Sequence, residues 1–467
     1  MALKSLVFRT SRPAAFLSSA PAQVKVVAGV VAAVLLLVAL GVGIWSYVTA
    51  NQIAIKYNHE RRALATQIAA AHQQGYTNED LRPVTRRVDA LNRSQVPWFL
   101  PGQPGYYQSS LTETTYLQKR LTVIEQQLLD QAKSSSAQQL TAAQSETGQA
   151  QQAMAADLDL QSLQQRADAA GKAMGAAVNI RDYRAALQQA QGIVTDATNL
   201  YTQTQAENQQ VQQAAQQLVA QAGGNIDNIH QGGGHATSAG RDDASVAAYL
   251  SKSTPFKGYD VLQRSYSRLE KFAPMVGSGD INQAAQGAAG TQRYSGQVHA
   301  ALMAGLPPKI VLISFQGQHL WAYQNGQVAM ETPVTTGIRG VTGYGTDFGP
   351  MKVVHKDHPW KMQSPWPHGS PLWYPDTTVQ WATFFTNTGE SIHDSYWEAD
   401  SRLGPGSQYD SSTRSHGCVH VPYGDAQWMY NFADVGMYVV VYSGDGSPVA
   451  NQLSQITTDD QGKPQSE

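Results

Sequence analysis

The chain holds one cysteine among its 467 residues. It lies in Arg414-Ser415-His416-Gly417-Cys418-Val419-His420. A single thiol cannot close an intramolecular disulfide, so Cys418 is not a staple. As a thiolate it is a strong nucleophile, and an imidazole within reach can take its proton. His393, in Ser391-Ile392-His393-Asp394, is the upstream candidate for that base. Gly417 beside the thiol permits the close backbone approach an oxyanion site needs. The bland reading is a small buried core residue, which is what most free cysteines are. A second alternative is metal: His416, Cys418 and His420 alternate, so on a strand they share one face, and His393 would be a fourth ligand.

The Ser-His-Gly-Cys string resembles the signature of the L,D-transpeptidase catalytic domain, the YkuD type. Other stretches agree. Lys309 to Gly337 resembles that domain's opening strands, and Gly345 to Val353 its Thr-Pro-x-Gly-x-Phe segment, with Asp347 at the usual proline. Ser391-Ile392-His393 with Tyr396-Trp397 resembles the first-histidine strand. Asp425 to Tyr442 resembles the closing helix and strand. The likeness covers about residues 308 to 443. Between His393 and Ser415 stand 21 residues, longer than the family's usual gap. The excess falls in Leu403-Gly404-Pro405-Gly406-Ser407, read as a surface-loop insertion. His420 stands where the family often has Asn or Arg.

The resemblance implies a cysteine acyltransferase acting on peptidoglycan stem tetrapeptides, with carbapenems as acylating inhibitors and no cofactor. Cys418 is then the nucleophile and His393 the base. The backbone carbonyl of Asp394 holds the imidazole tautomer. His416 supports the cleft, and backbone N–H groups around His416, Gly417 and Cys418 form the oxyanion site. Arg414, whose guanidinium fork matches a carboxylate, together with Ser415, Tyr396 and Trp397, contacts substrate. Water in place of an acceptor amine would make the same site an L,D-carboxypeptidase. A degenerate, non-catalytic wall-associated protein is the remaining alternative.

The rest of the chain must position this site. Its length predicts several domains. A net charge of −2 gives no electrostatic case for nucleic acid. Residues 1–25 carry Lys4, Arg9, Arg12 and Lys25 with no acid, and are expected in the cytoplasm. Residues 26–47 form an uncharged stretch, about 30 Å long as a helix, ended by Trp45 and Tyr47; a transmembrane signal-anchor is expected. Cleavage after Val48-Thr49-Ala50 is the competing reading, which the length of the apolar stretch disfavours. The catalytic end is thereby expected on the extracytoplasmic side, facing the cell wall.

Residues 48–222 are Gln/Ala-rich and predict an all-α stalk or thin bundle of helical hairpins, punctuated at Gly75 and Pro83. Within it Trp98, Phe99, Tyr106 and Tyr107 cluster around a turn-rich break, read as a local mini-core or a docking patch. Residues 223–240 read as a flexible linker by their glycines. Residues 241–307 form a short helical region, and 444–467 a disordered polar tail. From 308 to 443 the pattern is mostly β. Asn325-Gly326 is a hairpin turn, and the whole suggests a sandwich or barrel. The proline-broken aromatic stretch Trp360, Trp366, Trp373, Tyr374, Trp381 reads as a loop, and by resemblance as a lid over the cleft.

Overall fold

The computed structural model describes residues 22–253, 256–338, 343 and 345–444. The tail expected at 444–467 and most of the N-terminal 1–25 segment lie outside the described residues. The chain divides into two compact units: Met1–Ala142 with Ala167–Gly192, and Ala143–Arg166 with Ile193–Glu467.

In the first unit, α1 (Ala22–Gln74) runs unbroken for 53 residues. Its apolar part is long enough to cross a membrane, and the side chains there are exposed. Its second half packs Leu64 and Ala71 into a core with Leu81 and Val84 of α2 (Asn78–Arg93). Leu117 and Leu121 of α3 (Gln103–Gln152) complete that core. Residues at every third and fourth position make these contacts, as an amphipathic stripe requires. A capping box starts α2: the Thr77 hydroxyl accepts from the Asp80 N–H, and the Asp80 carboxylate accepts from the Thr77 N–H. Pro83 lies inside α2 rather than ending it. The glycine before this helix does mark a turn, since Gly75 has φ +105°.

The second unit takes in the end of α3, α4 (Asp157–Ala176), α5 (Ile180–Ala222), α6 (Ile226–Ser253), α7 (Tyr259–Val276) and α8 (Ile281–Gly305), the first three shared with the other unit. The run expected as a flexible linker at 223–240 is helical from Ile226 onward. Its glycines serve close packing. A Cβ on Gly233 would stand 3.0 Å from the Ala288 Cα, and one on Gly240 would stand 2.2 Å from Leu269 Cδ1. Across the interface, a Cβ on Gly290 would stand 2.2 Å from the Phe272 ring. The entropic cost of glycine in a helix is offset where two backbones must approach this closely.

The strands follow in chain order: β1 (Lys309–Ser314), β2 (His319–Gln324), β3 (Gln327–Pro333), β4 (Gly349–Lys352), β5 (His355–Asp357), β6 (Trp360–Met362), β7 (Thr377–Val379), β8 (Ala382–Phe384), β9 (Ser391–Asp394) and β10 (Val419–Val421). Helix α9 (Tyr423–Phe432) and β11 (Tyr438–Tyr442) close the domain. The Asn325-Gly326 hairpin forms as expected, with both residues at positive φ.

Three open sheets result among the described residues, with orders β3-β2-β1-β11-β4, β10-β9-β8-β5 and β6-β7. No barrel closes, which corrects that half of the sequence expectation. β1 pairs parallel with β11 and β9 parallel with β10, so the sheets are mixed. Alternation along β1 explains the layering. Val311 and Ile313 join a core with Ile392, Val419 and Val421 of the second sheet. Ile310 and Leu312 join Val246, Leu250, Leu262 and Val298 of α6, α7 and α8. The helices ahead of residue 308 therefore cover one face of the first sheet, and the composition break at 307/308 is not a break in packing.

Candidate active site

β9 and β10 position the chemistry. Their register sets Val419 against Ile392 and His420 against His393. Ile392, Val419 and Val421 point into the inter-sheet core. The alternate residues His393 and His420 therefore share the opposite face, with ring centroids 5.0 Å apart. Cys418, one residue before β10, lies on that side too, its Sγ 3.7 Å from Ser391 Oγ and 3.9 Å from the Gly389 carbonyl.

His393 is buried, and its Nδ1 lies 2.8 Å from the Asp394 carbonyl oxygen. A carbonyl only accepts, so Nδ1 carries the proton and Nε2 is left as the basic nitrogen. Burial, then the neighbouring His420, brings the His393 pKa down to about 3. Burial pushes the Cys418 thiol up to about 11, against hydrogen bonds from Ser391 that favour the thiolate. The resting pair at neutral pH is thus thiol plus neutral imidazole. No hydrogen bond joins Cys418 Sγ to His393 among the described residues.

These two groups predict opposite pH limits on stability. His393 binds a proton more weakly folded than unfolded, so stability is full above the unfolded pKa of about 6.5 and falls as pH drops from there toward about 3. Cys418 holds its proton more tightly when folded, so stability is full below about 9 and falls as pH rises toward about 11. Denaturant melts of the full chain across this range should show His393→Gln flattening the acid limb and Cys418→Ala the alkaline limb.

Gly417 has φ +124°, and a Cβ there would stand 3.0 Å from Glu390 Oε1 and 3.1 Å from the Gly345 carbonyl. Its N–H donates to Ser415 Oγ at 3.1 Å. The Ser415 hydroxyl in turn donates to the Cys418 carbonyl. Ser415 is buried, so it braces the turn from inside rather than facing substrate as expected. The Gly417 N–H is likewise engaged within the turn. Thr346 Oγ1 donates to the Gly417 carbonyl at 2.8 Å and adds a second brace. Gly417→Ala should strain this turn by about 1–3 kcal/mol, which would slow acylation by about one to two orders of magnitude if carried into the barrier. A stopped-flow acylation rate would measure it.

Asp394 has two jobs. Its backbone fixes the imidazole, while its Oδ1 accepts from the N–H groups of Gln380 and Trp381, each at 2.8 Å. Those residues follow β7, which pairs with β6 in a short ribbon that takes in Trp360, while Trp366, Trp373 and Tyr374 lie in the loop at its end. Tyr374 of this loop lies 5.2 Å from the His416 ring. Burial, then the charge of Cys418, raises the Tyr374 pKa to about 12. This loop therefore reaches the turn that carries His416 and Cys418.

Tyr396 and Trp397 are exposed at the rim. The Trp397 ring lies 5.4 Å from His420 and 6.0 Å from His393. Arg414 is half-buried in the turn before Ser415, and its N–H donates to the Asp410 carbonyl at 2.9 Å. The zinc alternative loses its geometric premise, because β10 begins at Val419 and Gly417 turns the chain. His416 therefore does not continue the strand face. No group of three or more ligating side chains gathers among the described residues.

The sequence reading missed Glu398. Its side chain is 2% exposed and accepts from His420 Nδ1, a buried pair next to His393. Glu398→Ala would strand the His420 donor and should cost about 1–3 kcal/mol by chemical denaturation. The extra residues after His393 are also more than a loose insertion. Ser407 and Gln408 are buried; the Thr335 hydroxyl donates to Ser407 Oγ, and Gln408 Nε2 donates to the Phe315 carbonyl.

Residues 308–441 match the family model of the L,D-transpeptidase catalytic domain, YkuD. Among solved structures, an L,D-transpeptidase from Mycobacterium smegmatis is 22% identical over 29% of this chain and 59% of its own, with a TM-score of 0.26. An Enterococcus faecium L,D-transpeptidase, crystallised as a cysteine-to-serine mutant, is 24% identical over 29% of this chain and 50% of its own, TM-score 0.26. L,D-transpeptidase 3 from Mycobacterium tuberculosis, in complex with a faropenem-derived adduct, is 24% identical over 29% and 60%, TM-score 0.25. The chain thus spans about half to three-fifths of the structures it matches. No curated protein matches it. By the family model, residues 308–441 form a catalytic domain of the L,D-transpeptidase family.

Proposed function

We propose that this chain is a membrane-anchored peptidoglycan L,D-transpeptidase that forms cross-links through a thioester on Cys418. The observation that carries this reading is the pairing of β9 with β10, which sets the Cys418 thiol against Ser391, two residues before His393 on the same side of β9, with the imidazole's Nδ1 proton committed to the Asp394 carbonyl.

His393 Nε2 takes the thiol proton as Sγ attacks the carbonyl of the third stem residue. The tetrahedral oxygen sits at backbone N–H groups of the 416–418 turn. The C–N bond breaks, His393 protonates the leaving D-amino acid, and the thioester remains. An acceptor side-chain amine then attacks the thioester carbonyl, gives up its proton to His393, and releases the thiol. Tyr396 and Trp397 offer the rim for the donor or acceptor stem. Helix α1 holds the enzyme to the membrane, on the cell-wall side.

The test uses the full chain in detergent, because α6, α7 and α8 cover one face of the first sheet of the catalytic domain. Disaccharide-tetrapeptide donors should yield dimers lacking one terminal D-residue, read by mass spectrometry. A carbapenem should add one mass equivalent, on the peptide that contains Cys418. Tripeptide product without dimers would assign carboxypeptidase activity instead. A folded chain that gives neither dimer, tripeptide nor adduct would refute the thioester reading.

A further inference from the structure

Between α2 and α3 the chain makes an apolar tip that the proposed reaction does not use. Trp98 is 92% exposed, and Val96, Phe99 and Leu100 are exposed beside it. Of the aromatics expected to cluster, Tyr106 and Tyr107 pack together and against Tyr57, while Trp98 and Phe99 stay outside. No charged residue occurs from Ser94 to Thr112. The tip is shaped rather than slack. Gln103 Nε2 donates to the Pro97 carbonyl at 3.1 Å, the Gly102 N–H donates to the Phe99 carbonyl, and the Trp98 and Phe99 rings meet edge-on at 6.0 Å. Three prolines, Pro97, Pro101 and Pro104, stiffen it further.

Its place in the first unit is specific. Leu100 reaches Gly43 of α1, where a Cβ would stand 3.9 Å from Leu100 Cδ1. Leu100 also lines an open apolar groove along α1 with Leu36, Leu40, Ile44 and Tyr47. These α1 residues belong to the last three turns of the apolar stretch. The tip therefore stands at the depth of the proposed span, not above it. Above the tip, the Tyr106 hydroxyl lies 2.9 Å from Ser94 Oγ, a polar-capped ring of the type that settles at membrane interfaces.

We propose that Val96–Leu100 inserts into the leaflet surrounding the Tyr47 end of α1, as a second lipid contact beside the span. This rests on the reading of α1 as a membrane anchor. Exposed apolar surface of this kind marks a lipid or protein contact. The continuity of its apolar surface with α1 and its lack of charge favour lipid. Two points of attachment would fix the direction in which the α2–α3 arm leaves the membrane.

The test is nitroxide accessibility in the full chain, with Cys418→Ser as background, in nanodiscs of phosphatidylcholine and phosphatidylglycerol. Labels go at Trp98→Cys and Phe99→Cys, at Ile44→Cys as the span reference, and at Val178→Cys as the exposed aqueous reference. Oxygen partitions into lipid and a neutral nickel chelate into water. The proposal expects oxygen to be the stronger relaxer at 98, 99 and 44, and nickel at 178. Oxygen at 44 with nickel at 98 and 99 would overturn the tip insertion and leave the anchor standing. Nickel at 44 as well would overturn the anchor, and the tip proposal with it. Shielding of 98 and 99 from both reagents would mean a protein occupant and would also overturn it.

Discussion

Cys418→Ala is expected to reduce cross-link formation to background, a loss on the order of 10⁶-fold where a nucleophile is removed from a covalent pair. The chain has no other thiol to substitute for it. The substitution removes one sulfur from a site whose neighbours, Ser391 Oγ and the Gly389 carbonyl, lie at 3.7 and 3.9 Å. Those long contacts contribute little, so the fold should survive and the loss should be chemical. Dimer yield by mass spectrometry reads the effect, and a matched circular dichroism spectrum shows that the domain is intact. A variant that stays folded and still forms dimers at more than a hundredth of the parent rate would remove Cys418 from the reaction.

His393→Gln should lower kcat/KM by about 10²–10⁴-fold, the range for a positioned general base. Glutamine keeps a side-chain N–H able to reach the Asp394 carbonyl, but offers no basic nitrogen to the thiol. With the Cys418 thiol pushed up to about 11, little thiolate exists at neutral pH, so the proton must be taken as the sulfur attacks. The variant should therefore recover rate as pH rises, whereas the parent has less to gain. Combined with Cys418→Ala, it should cost nothing further, since two groups that act as one unit are not additive. Acylation rates from pH 6 to 10 would show this, and an unchanged pH profile would contradict the role.

The centre of the site was legible because its groups are close in sequence. His416-Gly417-Cys418 is one turn, and His393 lies on the strand that pairs with the next one. The supports were not legible, since each comes from a different element. Glu398 reaches His420 from the loop after β9, and Thr346 reaches Gly417 across 71 residues. Nothing in local pattern announces such partners. Two readings failed for one physical reason, that glycine was judged by freedom alone. At 233 and 240 its missing Cβ admits a neighbouring helix. At 417 its positive φ ends the alternation that would have lined up a metal site. The barrel expectation failed because strand count says nothing of closure. The hairpin at Asn325-Gly326 succeeded because its chemistry is contained in two residues.

The high resting pKa of the thiol has a consequence for the life of the enzyme between turnovers. Peroxides and small electrophiles attack thiolates, and here almost all of the sulfur is protonated at neutral pH. A solitary cysteine on the proposed outer side of a membrane has no internal partner to rescue it once oxidised. On the proposed mechanism, a thiol that loses its proton only as it attacks trades readiness for durability. The site should age slowly in an oxidising medium, and a selective acylating agent should reach it far faster than general thiol reagents do.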